Sequence, residues 1–370
     1  MVIAHVVSSF QIGGQEVMVV ELATRQHARG HRVIAVTLER GKPGPLQAAF
    51  ARAGIETAHV PKLGSRVDIT LPVRLAFLFR RHDVQVAHLH NHLPLIYGTP
   101  AGKMNRCIVV ATRHGQDEGS KRQIWLRRHI ARGVDSYVAV SNEVAKNTRA
   151  HSLAVEPKLT VIENGIDLGC YEHRASARLE VRTELGLTEG DRVIGTVCRL
   201  VDCKNLGLLL RSCMPHLGPV TRLVVVGDGP ERSALVSLAA QYPQGRFVRF
   251  LGQRTDVARL LNAFDLFALS SRTEGHPISV IEAMATGLPV LATKVGGIPE
   301  MVEDGTTGFL AEVEESAFAS RLAQALDQYD NWSVMGRAAR TAAHERFSSE
   351  TMADRYQALY ESIMKRHRVS

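Results

Sequence analysis

Short apolar runs alternate with helical stretches along the whole chain, and the pattern runs through twice. "VIAHVV" at residues 2–7 reads as a buried strand, and "GGQEVMVVELATRQHARG" as a helix that stops at Gly30. "RVIAVTL", "VQVAHLH", "CIVVATRH", "SYVAVS" and "LTVIENGID" follow as strands with helices between them. This βαβα rhythm belongs to a parallel, doubly wound sheet. The segment from Leu168 to Asp191 is polar and helical, carries no buried strand, and reads as a hinge. The rhythm then restarts with "RVIGTVC", "RLVVVGDG", "RFVRFLG", "DLFALS", "PVLAT" and "TGFLAE". At roughly 100–200 residues per domain, 370 residues fit two domains. The expected division is 1–168, 169–348 and a terminal helical segment 349–370. Two such domains imply a cleft, with ligands beyond the carboxyl ends of the strands.

Composition narrows the partners. The formal charge is +8, and residues 1–168 hold 22 Lys and Arg against 13 Asp and Glu, so the excess lies in the first half. That half is expected to face something acidic, or to be a solvated basic face. The start lacks a cationic leader and no stretch nears the ~18 apolar residues of a membrane span, so a cytoplasmic chain is expected. Five cysteines without a Cys-x-x-Cys pair read as free thiols.

The informative residues follow strands. Gly13 and Gly14 open the first helix, where backbone amides favour an anion, but "GGQEVM" is not a dinucleotide fingerprint. In "VCRLVDCKN", Arg199 offers a planar fork and Lys204 a mobile charge, a pair suited to a diphosphate. No Asp-x-Asp occurs, so metal is not expected and the positive charge would come from these side chains and a helix dipole. In "SSRTEGHPISVIEAMATG", Glu274 and Glu282 stand eight positions apart. Gly275 and Pro277 forbid one continuous helix; Pro277 fits the first position of a new one, with Glu274 on the loop and Glu282 in the second turn. Beside a diphosphate, each carboxylate is best satisfied by vicinal hydroxyls.

The stretch "SSRTEGHPISVIEAMATGLPVLATKVGGIPEMVEDGTTGFL", with its E-x7-E spacing, resembles the signature of the retaining GT-B glycosyltransferases of family 4. "CRLVDCKN", "VVVGDGPE", "FLGQ", "VIENGID", "YVAVS", "AHLHNH" and the early "GG" match that pattern in order, over nearly the whole chain. The resemblance implies two Rossmann-like domains, acceptor binding by the first and nucleotide-sugar binding by the second, with the C-terminal helix crossing back to the first. It implies that Glu274 reads donor-sugar hydroxyls and Glu282 the ribose, and that Arg199 and Lys204 hold the diphosphate. It places backbone around Gly275, His276 and Pro277 against sugar and phosphate, Gly252 to Arg254 near the base, Gly13 and Gly14 toward the phosphates, and His114 of "ATRHG" near the reacting centre. His276 departs from the aromatic or aliphatic residue usual after "EG", which bears on sugar choice. The implied activity is metal-independent transfer, without a cofactor, from a nucleoside-diphosphate sugar to a glycan, lipid-linked or small-molecule hydroxyl. An epimerase on the same plan and a silent sugar-nucleotide binding module remain as alternatives.

Two segments stand outside that frame. His88, His90 and His92 in "AHLHNHLP" invite a zinc reading by spacing, but no carboxylate or thiol cluster accompanies them. Acceptor-side lining by His90 and structural core histidines are the readings kept. In "GSKRQIWLRRHIAR", at 119–132, Lys121, Arg122, Arg127, Arg128 and Arg132 surround Ile124, Trp125 and Ile130. The segment reads as a dock for an anionic membrane surface or as a solvated basic face. Nothing in it resembles a nucleic-acid motif.

Overall fold

The computed structural model describes residues 1–42, 44–64, 67–115, 119–154 and 156–369. They divide into two compact units, Met1–Gly165 with Ser349–Ser370, and Ile166–Ser348.

The first unit is built on seven parallel strands: β1 Val2–Val7, β2 Arg32–Thr37, β3 Glu56–His59, β4 Val86–His90, β5 Ile108–Arg113, β6 Ser136–Ala139 and β7 Leu159–Val161. Their order is β3-β2-β1-β4-β5-β6-β7, which reverses between β1 and β4. Only β3 escapes the apolar-run reading, because it is a four-residue edge strand with half-exposed and exposed side chains. One face of the sheet is apolar: Ala4, Val6, Ala87, Leu89, Val109 and Ala111 pack in one cluster with Leu75 and Phe79 of helix Leu71–Arg81 and Leu95 and Ala101 of helix His92–Met104.

The opposite face is unusual for a parallel sheet. Side chains two apart share a face. The register sets His5 opposite His88, and His90 opposite Thr112, so imidazoles line the middle of the sheet. Gln26 from helix Gly14–Ala28, and Tyr356 and Tyr360 from helix Ser349–Val369, are buried polar residues hydrogen-bonded to this row. Arg25 and Arg29 pair with Glu350 and Asp354 at 2.8–2.9 Å around the same helix. Those pairs are exposed and worth ~0–1 kcal/mol each, so buried Met352, Tyr356, Tyr360 and Ile363 do more to fix the helix.

The second unit has six parallel strands, β8 Arg192–Val197, β9 Thr221–Val226, β10 Val248–Gly252, β11 Leu266–Leu269, β12 Val290–Thr293 and β13 Gly308–Ala311, in the order β10-β9-β8-β11-β12-β13. The segment read as a hinge is instead built into this unit. Arg182, on helix Ala175–Glu184, is 2% exposed; it meets Asp265 at 2.7 Å and donates to the carbonyls of Thr188, Glu189 and Asp191. A buried cation with this many partners anchors the segment.

Candidate active site

In the second unit the strand order reverses between β8 and β11, and both strands deliver polar residues at their carboxyl ends. After β8 the chain passes Arg199 and makes one short turn, Asp202–Lys204, before the helix Leu206–Cys213. Arg199 is exposed and its guanidinium has no ion-pair partner among the described residues. After β11, the hydroxyl of Ser270 donates to the carbonyls of Lys204 and Asn205 at 3.2 and 3.0 Å, holding the two loops together. Lys204 Nζ then reaches Glu274 Oε1 at 2.5 Å, and Ser271 Oγ donates to the same oxygen at 2.7 Å. Burial works against the Lys204 charge, but the adjacent carboxylate outweighs it and raises the pKa. The sequence pattern gives Lys204 and Glu274 separate ligand groups, diphosphate and sugar; in the structure the two side chains pair with each other.

The loop beyond Glu274 is fixed by backbone. The amide of Gly297 donates to the carbonyl of Gly275 at 2.9 Å. Gly296 has φ +55°, and a Cβ there would fall 1.8 Å from the Glu274 carbonyl oxygen, so only glycine permits this approach. His276 is buried and sits edge-on to Phe347, centroids 5.2 Å apart. Pro277 is the N-cap of helix Ile278–Thr286, with ψ 121°, rather than its first helical residue. Extended backbone at that ψ delays the helix by one position. Glu282 is buried in the second turn, where the hydroxyl of Tyr171 donates to its Oε1 at 2.7 Å. Nothing in the sequence singles out Tyr171.

Gly252 ends β10 with φ +69°, its carbonyl accepting from the Gly227 amide at 2.8 Å. Arg254 is committed elsewhere: its guanidinium grips Asp256 twice at 2.7 Å and Glu184 at 3.1 Å. Those carboxylates hold its pKa above the ordinary arginine value. The Arg254 side chain, expected near a base, is thus engaged by carboxylates of its own unit.

In the first unit, Gly13 is the N-cap of helix Gly14–Ala28. The neighbouring strand ends on Asn91, whose φ 66° and ψ −166° lie in a region almost reserved for glycine, at a cost of order 1–3 kcal/mol. The strain is held by its side chain: Nδ2 donates to Gln15, and Oδ1 accepts from Arg113 Nη1 at 3.2 Å and the His114 amide at 3.0 Å. Asn91 thus joins the glycine turn to the end of β5, a role invisible in the pattern of apolar runs.

His114 Nε2 is 3.1 Å from His90 Nδ1, and His90 Nε2 is 3.0 Å from His5 Nδ1. Burial lowers the pKa of His114 to about 3 and of His5 to about 4, and holds His90 and His88 well below the ordinary value, so all four are neutral near pH 7. His90, expected on the acceptor side, is fully buried between two histidines on an interior strand and cannot line that side. His92 has left the strand: it opens helix His92–Met104 and lies against Arg127. His5 takes its place beside His88 and His90, the ligand atoms all within 4.8 Å. Every ring nitrogen of those three is already hydrogen-bonded within the protein.

The basic segment forms helix Lys121–Ala131, capped by Ser120 and Gln123. Arg127 points inward, 3% exposed, and does not contribute to the outer charge. Lys121, Arg122, Arg128 and Arg132 are exposed, with Trp125 58% and Leu126 37% exposed beside them. Helix Leu71–Arg81, which shares helix His92–Met104 as a neighbour, exposes Val73 and Phe77, with Val67 and Ile69 preceding it. Among the described residues no helix is long and apolar enough to cross a membrane.

Two doubly wound parallel sheets, each gathering polar side chains at a reversal in strand order, define an α/β enzyme of the GT-B class. Solved structures share the fold: Anabaena HepE, in a complex with UDP and glucose, superposes with a TM-score of 0.87 at 22% identity, covering 98% of this chain and 100% of that one. Family profiles divide the chain between them, "Glycosyltransferase Family 4" matching residues 12–169 and "Glycosyl transferases group 1" matching residues 177–342. A relative from Bacillus anthracis, N-acetyl-alpha-D-glucosaminyl L-malate synthase, is 29% identical, covering 96% of this chain and 95% of its own. The Escherichia coli UDP-Gal:alpha-D-GlcNAc-diphosphoundecaprenol alpha-1,3-galactosyltransferase is 28% identical over 70% of this chain and 71% of its own. The chain belongs to the family 4, group 1 glycosyltransferases.

Proposed function

We propose that the protein moves a sugar from a nucleoside-diphosphate sugar to an acceptor hydroxyl with retention of anomeric configuration, and without a metal ion. The observation that carries this reading is half-buried Lys204 paired with buried Glu274 beside exposed Arg199, at the start of helix Ile278–Thr286. A dianionic leaving group needs fixed positive charge, and Lys204, Arg199 and the helix N-terminus supply it. Glu274, released in part from Lys204, accepts from donor-sugar hydroxyls, and Glu282 from the ribose. The family resemblance assigns the amides at Gly13 and Gly14 to the phosphates and His114 to the sugar at the reacting centre. The bond from the anomeric carbon to the phosphate oxygen breaks as the bond to the acceptor oxygen forms on the same face, and the departing phosphate takes the acceptor proton. That HepE was crystallised with UDP and glucose, and that the Escherichia coli relative is named for UDP-galactose, supports a nucleotide-sugar donor.

The acceptor side is assigned to the first unit. Exposed Val73, Phe77 and Trp125 with surrounding cations favour an anionic membrane surface, and with it a lipid-linked acceptor, over a purely soluble one. On this reading the enzyme works from the cytoplasm, peripheral to a membrane.

Thermal-shift screening against UDP-, GDP- and ADP-sugars, followed by product analysis with and without chelator, tests the donor reading. Stabilisation by one nucleotide class and transfer unaffected by chelator are expected. Strict dependence on a divalent ion contradicts the metal-free assignment, and turnover of donor without any acceptor would indicate an epimerase. Sedimentation with anionic vesicles should fall for Phe77→Ala/Trp125→Ala if the membrane reading holds.

A further inference from the structure

The row of buried histidines in the first unit is more than packing. We infer that Gln26, His5 and His90 form a one-way hydrogen-bond chain that holds His114 as its Nε2–H tautomer, leaving the Nδ1 lone pair to accept from a substrate hydroxyl. The inference rests on the role given to His114 above.

The polarity is set at the far end. Gln26 Oε1 lies 2.7 Å from His5 Nε2, and an amide oxygen only accepts, so His5 carries its proton on Nε2. A neutral His5 then offers a bare Nδ1, and His90 must donate to it from Nε2 across 3.0 Å. His90 Nδ1 is in turn bare, and His114 must donate to it from Nε2 across 3.1 Å. The remaining nitrogen, His114 Nδ1, is buried and has no hydrogen-bond partner among the described residues. A buried acceptor left empty is costly, and a ligand hydroxyl would satisfy it.

The other end of the amide agrees with this sense. Gln26 Nε2 faces the Tyr360 hydroxyl at 3.4 Å, leaving that hydroxyl's proton for His88 Nδ1 at 2.7 Å. His88 then donates from Nε2 to Thr112 Oγ1 at 2.6 Å. Turning the Gln26 amide over would reverse the main chain and make His114 Nδ1 a donor, so one side chain, remote from the site, selects what His114 presents. An imidazolium at His5 or His90 would set N–H against N–H, so the chain also requires neutrality, which burial enforces. Hydrogen bonds in series polarise one another, which carries the preference along the row. Gln26, His5 and His90 are positioning residues. A metal at His5, His88 and His90 would have to displace bonds that all six nitrogens already make.

The experiment uses full-length protein labelled with 15N-histidine. In wild type and Gln26→Glu, which keeps an acceptor toward His5, His114 is expected as the Nε2–H tautomer. In Gln26→Met a tautomer mixture is expected, with kcat down about tenfold and the nucleotide-sugar KM changed by less than about threefold. Circular dichroism checks that Gln26→Met is folded, and recovery of kcat in Gln26→Glu separates polarity from packing. A protonated His114 Nδ1 in wild type, or an unchanged tautomer in folded Gln26→Met, overturns the chain. So does a stoichiometric zinc-induced shift of the His5 and His90 signals, which would make the cluster a metal site. A tautomer mixture without change in kcat supports the chain and removes His114 from the reacting site, so the two readings fail separately.

Discussion

The carboxyl ends of the two sheets bury polar side chains in opposite ways. In the second unit the solution is charge against charge, Lys204 on Glu274 at 2.5 Å with Ser271 sharing the carboxylate. In the first it is a row of imidazoles that burial keeps uncharged. Desolvating ions is expensive, so an ion pair at a ligand site is worth keeping where the ligand is itself charged and can exchange partners with it. A neutral row has no charge to trade; it offers direction, a lone pair fixed in one place. The first arrangement suits a diphosphate and the second suits a hydroxyl, which matches the division of roles proposed for the two units.

Breaking the charged side should have the largest effect. Glu274→Ala is expected to lower transfer by about a thousandfold or more, since the hydroxyl contacts it supplies strengthen in the transition state. Calorimetry should find nucleoside-diphosphate binding largely intact, because the phosphates are assigned in the proposed function to Arg199 and Lys204; complete loss of nucleotide binding would contradict the sugar-reading role. The double change Arg199→Ala/Lys204→Ala is expected to weaken diphosphate binding roughly a hundredfold, as two charge-assisted contacts of about 1.5–3 kcal/mol are removed with partial compensation. Unchanged affinity would sink the metal-free account.

The same contrast explains what could be read from the chain. Strands buried on both faces are continuous apolar runs, so all but the half-exposed edge strand β3 were legible, and so was the two-unit α/β plan. Glu274 and Glu282 were legible because a glycine and a proline broke the helix between them, though the cap fell one residue later than expected. The neutral row was not. His88 and His90 show the two-residue period of one strand face, but His5, Gln26 and Tyr360 are brought beside them by register and by a helix from the far end of the sequence. Long-range pairing of this kind leaves no local period, and it overturned the acceptor-side reading of His90. Asn91 was hidden for a different reason, since its weight lies in a backbone conformation and not in its residue type.

The neutral side makes a prediction about pH. His5 at about 4 and His114 at about 3 have pKa values depressed from 6.5 by burial. Between those values and 6.5 the unfolded chain binds more protons than the folded one, so stability rises with pH across that window and levels off above it. Urea midpoints should therefore fall as pH drops from 7 to 5, by roughly 1 kcal/mol per buried histidine per pH unit below 6.5. A profile flat to pH 5 would mean that the row accepts protons in the folded state and that the neutral half of the contrast is wrong.

The smallest effect is expected at Tyr171, and it sharpens the charged side. Its hydroxyl donates to Glu282 Oε1 at 2.7 Å, and Glu282 is the carboxylate assigned to the ribose. Tyr171→Phe keeps the ring and removes a charge-assisted hydrogen bond, so Glu282 stays buried with one fewer donor to orient it. Nucleotide affinity should drop about two- to tenfold, corresponding to roughly 0.5–1.5 kcal/mol. Inorganic pyrophosphate, which has no ribose, should bind the variant as it binds wild type. Equal losses for both ligands would move Glu282 from the ribose to the phosphates, where a carboxylate is an unfavourable neighbour, and the measure of the nucleotide along this helix would need a different far end.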